Sequence, residues 1–254
     1  MNHEIFYHEC GRDALTAKEH THVDCIEIIH ICEGNGTILL SEQSYPFGPN
    51  DVFCFDGSLI HYIHPEDEQN YKRNKLIFPK SMLSLLTNDA FHQALSFHAN
   101  EEIASAIDQS FSAIAKATKE KETFLCLSQI FQLLHICQGK NSNLAPSENA
   151  FLKQIMNFIN QNLQSPLSTD TIAQSIHMSK YYMCRRFKEE TGITIGSYIK
   201  MQRVYLAKKK LEETDEPISS IALDCGFGDI AHFSKLFKTI VKQTPSAYRK
   251  HWRG

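Results

Sequence analysis

The sequence predicts an α+β chain in which the strands come first and the last part is all helix. Three observations carry that expectation. Residues 1–80 hold short β-branched runs cut by frequent turn formers, and beyond Pro79 apolar residues recur at helical spacing. The final part then repeats one helix-turn-helix pattern twice.

In the first region, 25–31 has the β-branched density of a strand, Glu33-Gly34-Asn35-Gly36 is a turn cluster, and 37–40 returns. Further strands fit 44–47, 52–55, 59–63 and 75–78, with turns at Pro46, Gly48-Pro49-Asn50 and Asp56-Gly57. Many short strands with close turns form a sandwich or barrel whose interior can hold a small molecule. The N-terminus lacks a basic-then-apolar leader, and no run of about 18 apolar residues occurs, so a cytoplasmic chain that does not span a membrane is expected. Eight cysteines, at 10, 25, 32, 54, 126, 137, 184 and 225, are dispersed without a C-x-x-C pair and read as reduced thiols.

Beyond residue 80, Ile103, Ile107, Phe111 and Ile114 mark a helix over 101–117, and Phe124, Leu127, Phe131 and Leu134 mark one over 122–138. The second is apolar on another side too, through Leu125, Ile130, Leu133 and Ile136, so it needs two partners. One is the strand region or the neighbouring helix; the other is either the same chain or a second copy of it. Residues 139–147 (G-K-N-S-N-L-A-P-S) are turn formers and read as a linker. The expected divisions are therefore 1–80, 81–138, 139–147 and 148–254.

The net charge of −3 conceals an asymmetry. From residue 147 onward there are 16 Lys+Arg against 10 Asp+Glu, a net of +6, leaving 10 against 19, a net of −9, before it. A basic module that touches phosphates beside an acidic module that does not is the expected organisation.

Within the basic part, S-K-Y-Y-M-C-R-R-F-K-E-E-T-G (179–192) reads as a short helix with its stop. At about 100° per residue Met183 and Phe187 fall on one side, and Tyr181, Cys184, Arg185 and Lys188 on the other. Ser179 suits an N-cap and Gly192 a left-handed stop. Before it, 167–176 reads as a helix capped by Ser168 or Thr169, with His177-Met178 as the tight turn. The unit recurs: Ile172-Ala173 returns as Ile221-Ala222, 49 residues on, and Phe187-Lys188 as Phe237-Lys238, 50 residues on. One extra residue therefore sits in the second turn, within Gly226-Phe227-Gly228.

C-G-F-G-D-I-A-H-F-S-K-L-F-K (225–238) followed by T-P-S-A-Y-R (244–249) resembles the signature of AraC/XylS transcription regulators over about the last 105 residues. The resemblance implies seven helices carrying two helix-turn-helix units joined by a long helix, here about 195–213. At ~1.5 Å per residue that helix spans about 29 Å, approaching the ~34 Å between successive major grooves on one side of B-DNA. It also implies double-stranded DNA, a small-molecule effector and RNA polymerase as partners, a homodimer formed through 122–138, and activation as the commoner behaviour. Residues matching base-contacting positions of the family are Lys180, Tyr181, Cys184 and Arg185 in the first unit, and Ile230, Ala231, Ser234 and Lys235 in the second. Arg185 can bond O6 and N7 of guanine together. Lys188, Lys200, Lys208, Lys238 and Arg249 are assigned to phosphates or solvent.

The pattern His20-x-His22-x4-Glu27-x6-Gly34, with His61 later, resembles the cupin motif. In metal-binding cupins those two His, the Glu and the later His are the ligands, so His20, His22, Glu27 and His61 are candidates for an effector or for Mn, Fe, Ni or Zn. Ala14, Asp56 and Ser58 replace the usual Gly, Pro and Gly, and related sensor domains often keep such histidines without metal. Two other functions fit parts of the pattern: a metal-dependent cupin enzyme, and an adaptive-response DNA repair protein with a methyl-accepting cysteine. The absence of a clustered four-cysteine site in 1–80 disfavours the second.

Overall fold

The computed structural model describes residues 6–10, 25–57, 59, 61–85, 95–138, 140 and 144–253. Its N-terminal part is two antiparallel sheets facing each other, cupin-like but open. The larger has the order β1-β7-β2-β5-β8 and the smaller β4-β3-β6. The strands are β1 (Phe6–Cys10), β2 (Cys25–Glu33), β3 (Gly36–Leu40), β4 (Gln43–Phe47), β5 (Asp51–Asp56), β6 (His61–Pro65), β7 (Lys72–Pro79) and β8 (Leu95–His98).

Side-chain alternation assigns each face. On β2, Ile26 and Ile28 pack with Val52, Cys54, Leu76 and Phe78 against helices, whereas Ile29 and Ile31 pack inward with Phe53, Phe55, Ile38 and Ile63. The helical layer is α1 (Glu101–Glu120) and α2 (Thr123–Gln138). Asn100 caps α1 by accepting from the Ile103 N–H at 2.9 Å, and Lys121 ends it in the left-handed conformation.

Segment 81–138, expected to be helical, also supplies β8, which pairs with β5 at the edge of the larger sheet. Four residues, Leu-Ser-Phe-His, carry too little alternation to announce a strand. Pairing with β5, which lies some forty residues earlier, is what makes them one.

The C-terminal part contains α3 (Ala150–Gln161), α4 (Thr169–Ser175), α5 (Lys180–Thr191), α6 (Ile195–Glu213), α7 (Ile218–Asp224), α8 (Ile230–Val241) and α9 (Pro245–Arg253). Ser168, Ser179, Thr194 and Asp229 each accept a hydrogen bond from the first turn they open. Helix α6 is no free spacer. Tyr198, Met201, Val204, Ala207 and Leu211 belong to one continuous core that includes Met183 and Phe187 of one unit and Phe233 and Phe237 of the other. Burying side chains of this size stabilises by roughly 1.5–3 kcal/mol each.

The smaller sheet is covered on both faces. Leu39, on its outer side, joins the C-terminal core, and the Gln202 amide of α6 donates to the Ser41 carbonyl at 2.5 Å. The order of layers is helices, large sheet, small sheet, C-terminal helices.

Candidate DNA-reading faces and effector interior

In the first unit the turn passes through His177 at φ 54 and in the second through Gly226 at φ 82, 49 residues later. The caps Ser179 and Asp229 lie 50 apart. The extra residue therefore falls between the turn and the cap of α8, at Gly228, where an added Cβ would meet nothing within 4 Å. Gly226 is constrained: a Cβ there would lie 2.4 Å from the Leu163 carbonyl oxygen. That carbonyl accepts from Arg203 Nε at 2.9 Å, which ties α6 to the end of α3.

On α5, Lys180, Tyr181, Arg185 and Lys188 are exposed and Cys184 is half-buried, while Met183 and Phe187 point into the core. Tyr181 keeps 77% of its surface. Lys180 Nζ donates to Asp170 at 2.8 Å, and that carboxylate raises its pKa. Arg185 leans on Glu189 at 3.6 Å with both side chains mostly exposed, a pair weak enough to open toward a base. On α8, Ile230, Ala231, Lys235 and Lys238 are exposed and Ser234 is half-buried. His232, exposed beside them, was not foreseen; its position one residue after Ala231 in the first turn of α8 was the available signal.

Two cations assigned to phosphate or solvent do neither. Lys208 is 2% exposed, under the Tyr248 ring and close to Glu212, Asp56 and Lys80. Burial pushes its pKa down from 10.5 to about 8. A solvated face was expected because lysine is rarely buried, but here its Nζ lies 5.8 Å from the Tyr248 ring centroid, with Glu212, Asp56 and Lys80 near enough to act on its charge. Arg249 is half-buried and donates to the Glu216 carbonyl at 2.7 Å, clasping α9 to the segment before α7. Lys200 is exposed.

In the interior between the sheets, Glu27 is fully buried, with His61 Nε2 at 3.4 Å from one carboxylate oxygen and Lys75 Nζ at 2.7 Å from the other. Burial alone would raise the Glu27 pKa; His61 and Lys75 overcome it and hold the carboxyl below the ordinary range. Arg73, 6% exposed, lies two residues before Lys75 on the same face of β7. Neither cation was foreseen, although two basic residues at i and i+2 in a strand opposite a buried acid are a usable signal. His20 and His22 lie outside the described residues. Of the four cupin-type candidates the structure thus brings Glu27 and His61 together.

Strand β6 joins this interior to the reading module. His61 and Ile63 face inward, while Tyr62 and His64 face the C-terminal helices. His64 Nε2 lies 3.3 Å from the Glu189 carbonyl oxygen at the end of α5. Gly192 sits so close that a Cβ there would lie 2.5 Å from His64 Nδ1 and 2.9 Å from the Tyr62 ring. The left-handed stop of the first reading helix is therefore also its contact with the sensor sheet.

Two family models match the chain. The family model of the AraC-like ligand binding domain matches residues 3–134, and that of a helix-turn-helix domain matches residues 172–251. The HTH-type transcriptional activator RhaR of Escherichia coli is 26% identical over 254 residues, covering 91% of this chain and 86% of the relative. Among solved structures, an AraC-type regulator of Chromobacterium violaceum is 30% identical over 41% of this chain and 92% of its own, with a TM-score of 0.39. ToxT of Vibrio cholerae is 12% identical over 99% of this chain and 95% of its own, with a TM-score of 0.44. Among the described residues no helix is long and apolar enough to cross a membrane.

Proposed function

The chain belongs to the AraC family of DNA-binding transcription regulators, and from that premise we propose that it is a cytoplasmic activator switched by a small polar effector held between its two sheets. The observation that carries the switch is strand β6, whose inward His61 meets Glu27 and whose outward His64 meets the end of α5. An effector that draws Glu27, Lys75 or His61 toward itself shifts β6, and with it the population of arrangements in which α5 is free to enter the major groove. The likeness to an activator supports activation, and activation implies contact with RNA polymerase.

The interior reads as a binding pocket, not as a catalytic metal centre. Lys75 already supplies a positive charge at 2.7 Å from Glu27, and a divalent ion on the same carboxylate would be repelled across a low-dielectric interior. The described part of the cupin-type set therefore fits a buried salt-bridged cluster better than a metal ligand set, and no reaction step is assigned to it. Dimerisation is assigned to α2, where Phe124 is 90% and Leu125 39% exposed while Ile130, Leu133 and Leu134 are buried against the chain's own core.

A panel of small polar metabolites, scored by the change each makes in affinity for a DNA site selected by the chain, tests the switch. Compounds that act on the wild type should lose their effect on Lys75→Met, with circular dichroism checking that the variant keeps its fold. Compounds acting equally on both would remove the sheet interior as the effector site.

A further inference from the structure

The opposite face of the large sheet carries a second group of ligating side chains. Alternation along β2 turns His30 and Cys32 toward the helical layer, beyond Ile26 and Ile28. The register of β2 against β7 slips between Ile31 and Glu33, so Cys32 is the bulged residue, and a bulge re-aims the side chain it carries. From α1, Asp108 reaches back to the sheet and places Oδ1 3.0 Å from His30 Nδ1. One ligating atom from each of His30, Cys32 and Asp108 lies within 4.8 Å of the other two.

We propose that His30, Cys32 and Asp108 bind a single divalent transition-metal ion of the zinc class, clamping strand β2 to helix α1. Nitrogen, sulfur and oxygen donors together suit such an ion. With bonds of about 2.0–2.3 Å its tetrahedral ligands stand roughly 3.3–3.7 Å apart. The cluster needs to close by about 1.5 Å at most, and its more exposed members allow it: the Asp108 side chain is 53% exposed and Cys32 is half-buried. A neutral imidazole, a thiolate and a carboxylate balance the two charges of the ion, and the Cys32 proton leaves to solvent. Asp108 also lines a surface groove with Asn50, Ser105 and Gln109, which gives an ion a path to the cluster.

Two further features point to a ligand. His30 is completely buried, and its Nδ1, the ring nitrogen facing Asp108, makes no well-formed hydrogen bond, so this buried atom is costly unless a ligand meets it. Asn74, across the pair from His30 on β7, donates to Asp108 Oδ1 at 2.9 Å and fixes the carboxylate as an outer-shell partner would. A redox role for the thiol fits less well, since burial and the Asp108 charge push the Cys32 thiol up to about 11, which leaves it a poor nucleophile. The site is distinct from the cupin-type set, because Glu27 points to the other face of the same strand.

Cobalt(II) added to the chelator-treated full chain reports on this directly through thiolate-to-metal charge-transfer absorption. The expected result is saturation at about one ion per chain, displacement by zinc, loss of the band in Cys32→Ser, and at least a tenfold weaker titration in Asp108→Asn. Asn74→Ala, which removes no ligand, should weaken binding about tenfold, and Glu27→Gln should leave it unchanged. Circular dichroism on each variant separates loss of metal from loss of fold. No charge-transfer band in the wild type, or a band that survives Cys32→Ser and disappears in Glu27→Gln, overturns the proposal.

Discussion

The first helix-turn-helix unit, α4 with α5, and the second, α7 with α8, follow one plan of cap, turn and buried phenylalanines but differ in what surrounds it. The first offers DNA a polar face of Lys180, Tyr181 and Arg185, and its C-terminal stop rests on Tyr62 and His64 of the sensor sheet. The second offers Ile230 and Ala231, with Lys235 and Lys238 behind them, and α9, which follows it, meets the sensor part where Lys80 lies 5.7 Å from the Trp252 ring centroid. The unit with the richer donors is thus the one the sensor holds. The proposed switch therefore acts first on the unit with the richer donors.

The turns provide the sharpest contrast, and the largest expected effect. Gly226→Ala puts a Cβ 2.4 Å from a carbonyl oxygen at a left-handed φ and should cost about 3 kcal/mol or more. His177→Gly, at the matching position, relieves a side chain already tolerated there and should change stability by only about 1 kcal/mol. Denaturant melts of both variants check this, and equal losses would show that Gly226 is no more constrained than His177.

Helix α6, which both units share, carries the pH dependence. The native chain gives up the Lys208 proton near pH 8, whereas an unfolded chain keeps it to about 10.5. Between those values the unfolded state binds more protons, so stability rises with pH and is lowest below pH 8. Lys208→Met should abolish that rise and stabilise the chain at pH 7 by up to ~3 kcal/mol. Melting curves from pH 7 to 10.5 that keep the same slope in the variant would show that Lys208 is charged at no cost in the native state.

What could be read from the chain alone divides along the same line. The second half announced itself through local chemistry: Ser168 caps α4, Ser179 and Gly192 bracket α5, and the offset of 49 then 50 locates the added residue, because caps and turns are decided within a few residues. The sensor interior did not. Lys75 reaches Glu27 only because β2 and β7 pair across more than forty residues, and β8 exists only by pairing with β5. Lys208 was misread for the same reason, since the Tyr248 ring beside it belongs to α9, far along the chain.

The most direct test of the difference between the units is binding-site selection with the wild type, Arg185→Ala and Lys238→Ala. If α5 reads bases and α8 mainly anchors, Arg185→Ala loses roughly 1–3 kcal/mol on the selected site and relaxes preference at one or two base pairs. Lys238→Ala should weaken binding to all sequences alike, with a salt slope reduced by about 1. An Arg185→Ala protein that keeps the wild-type base preferences and only binds more weakly would contradict the account.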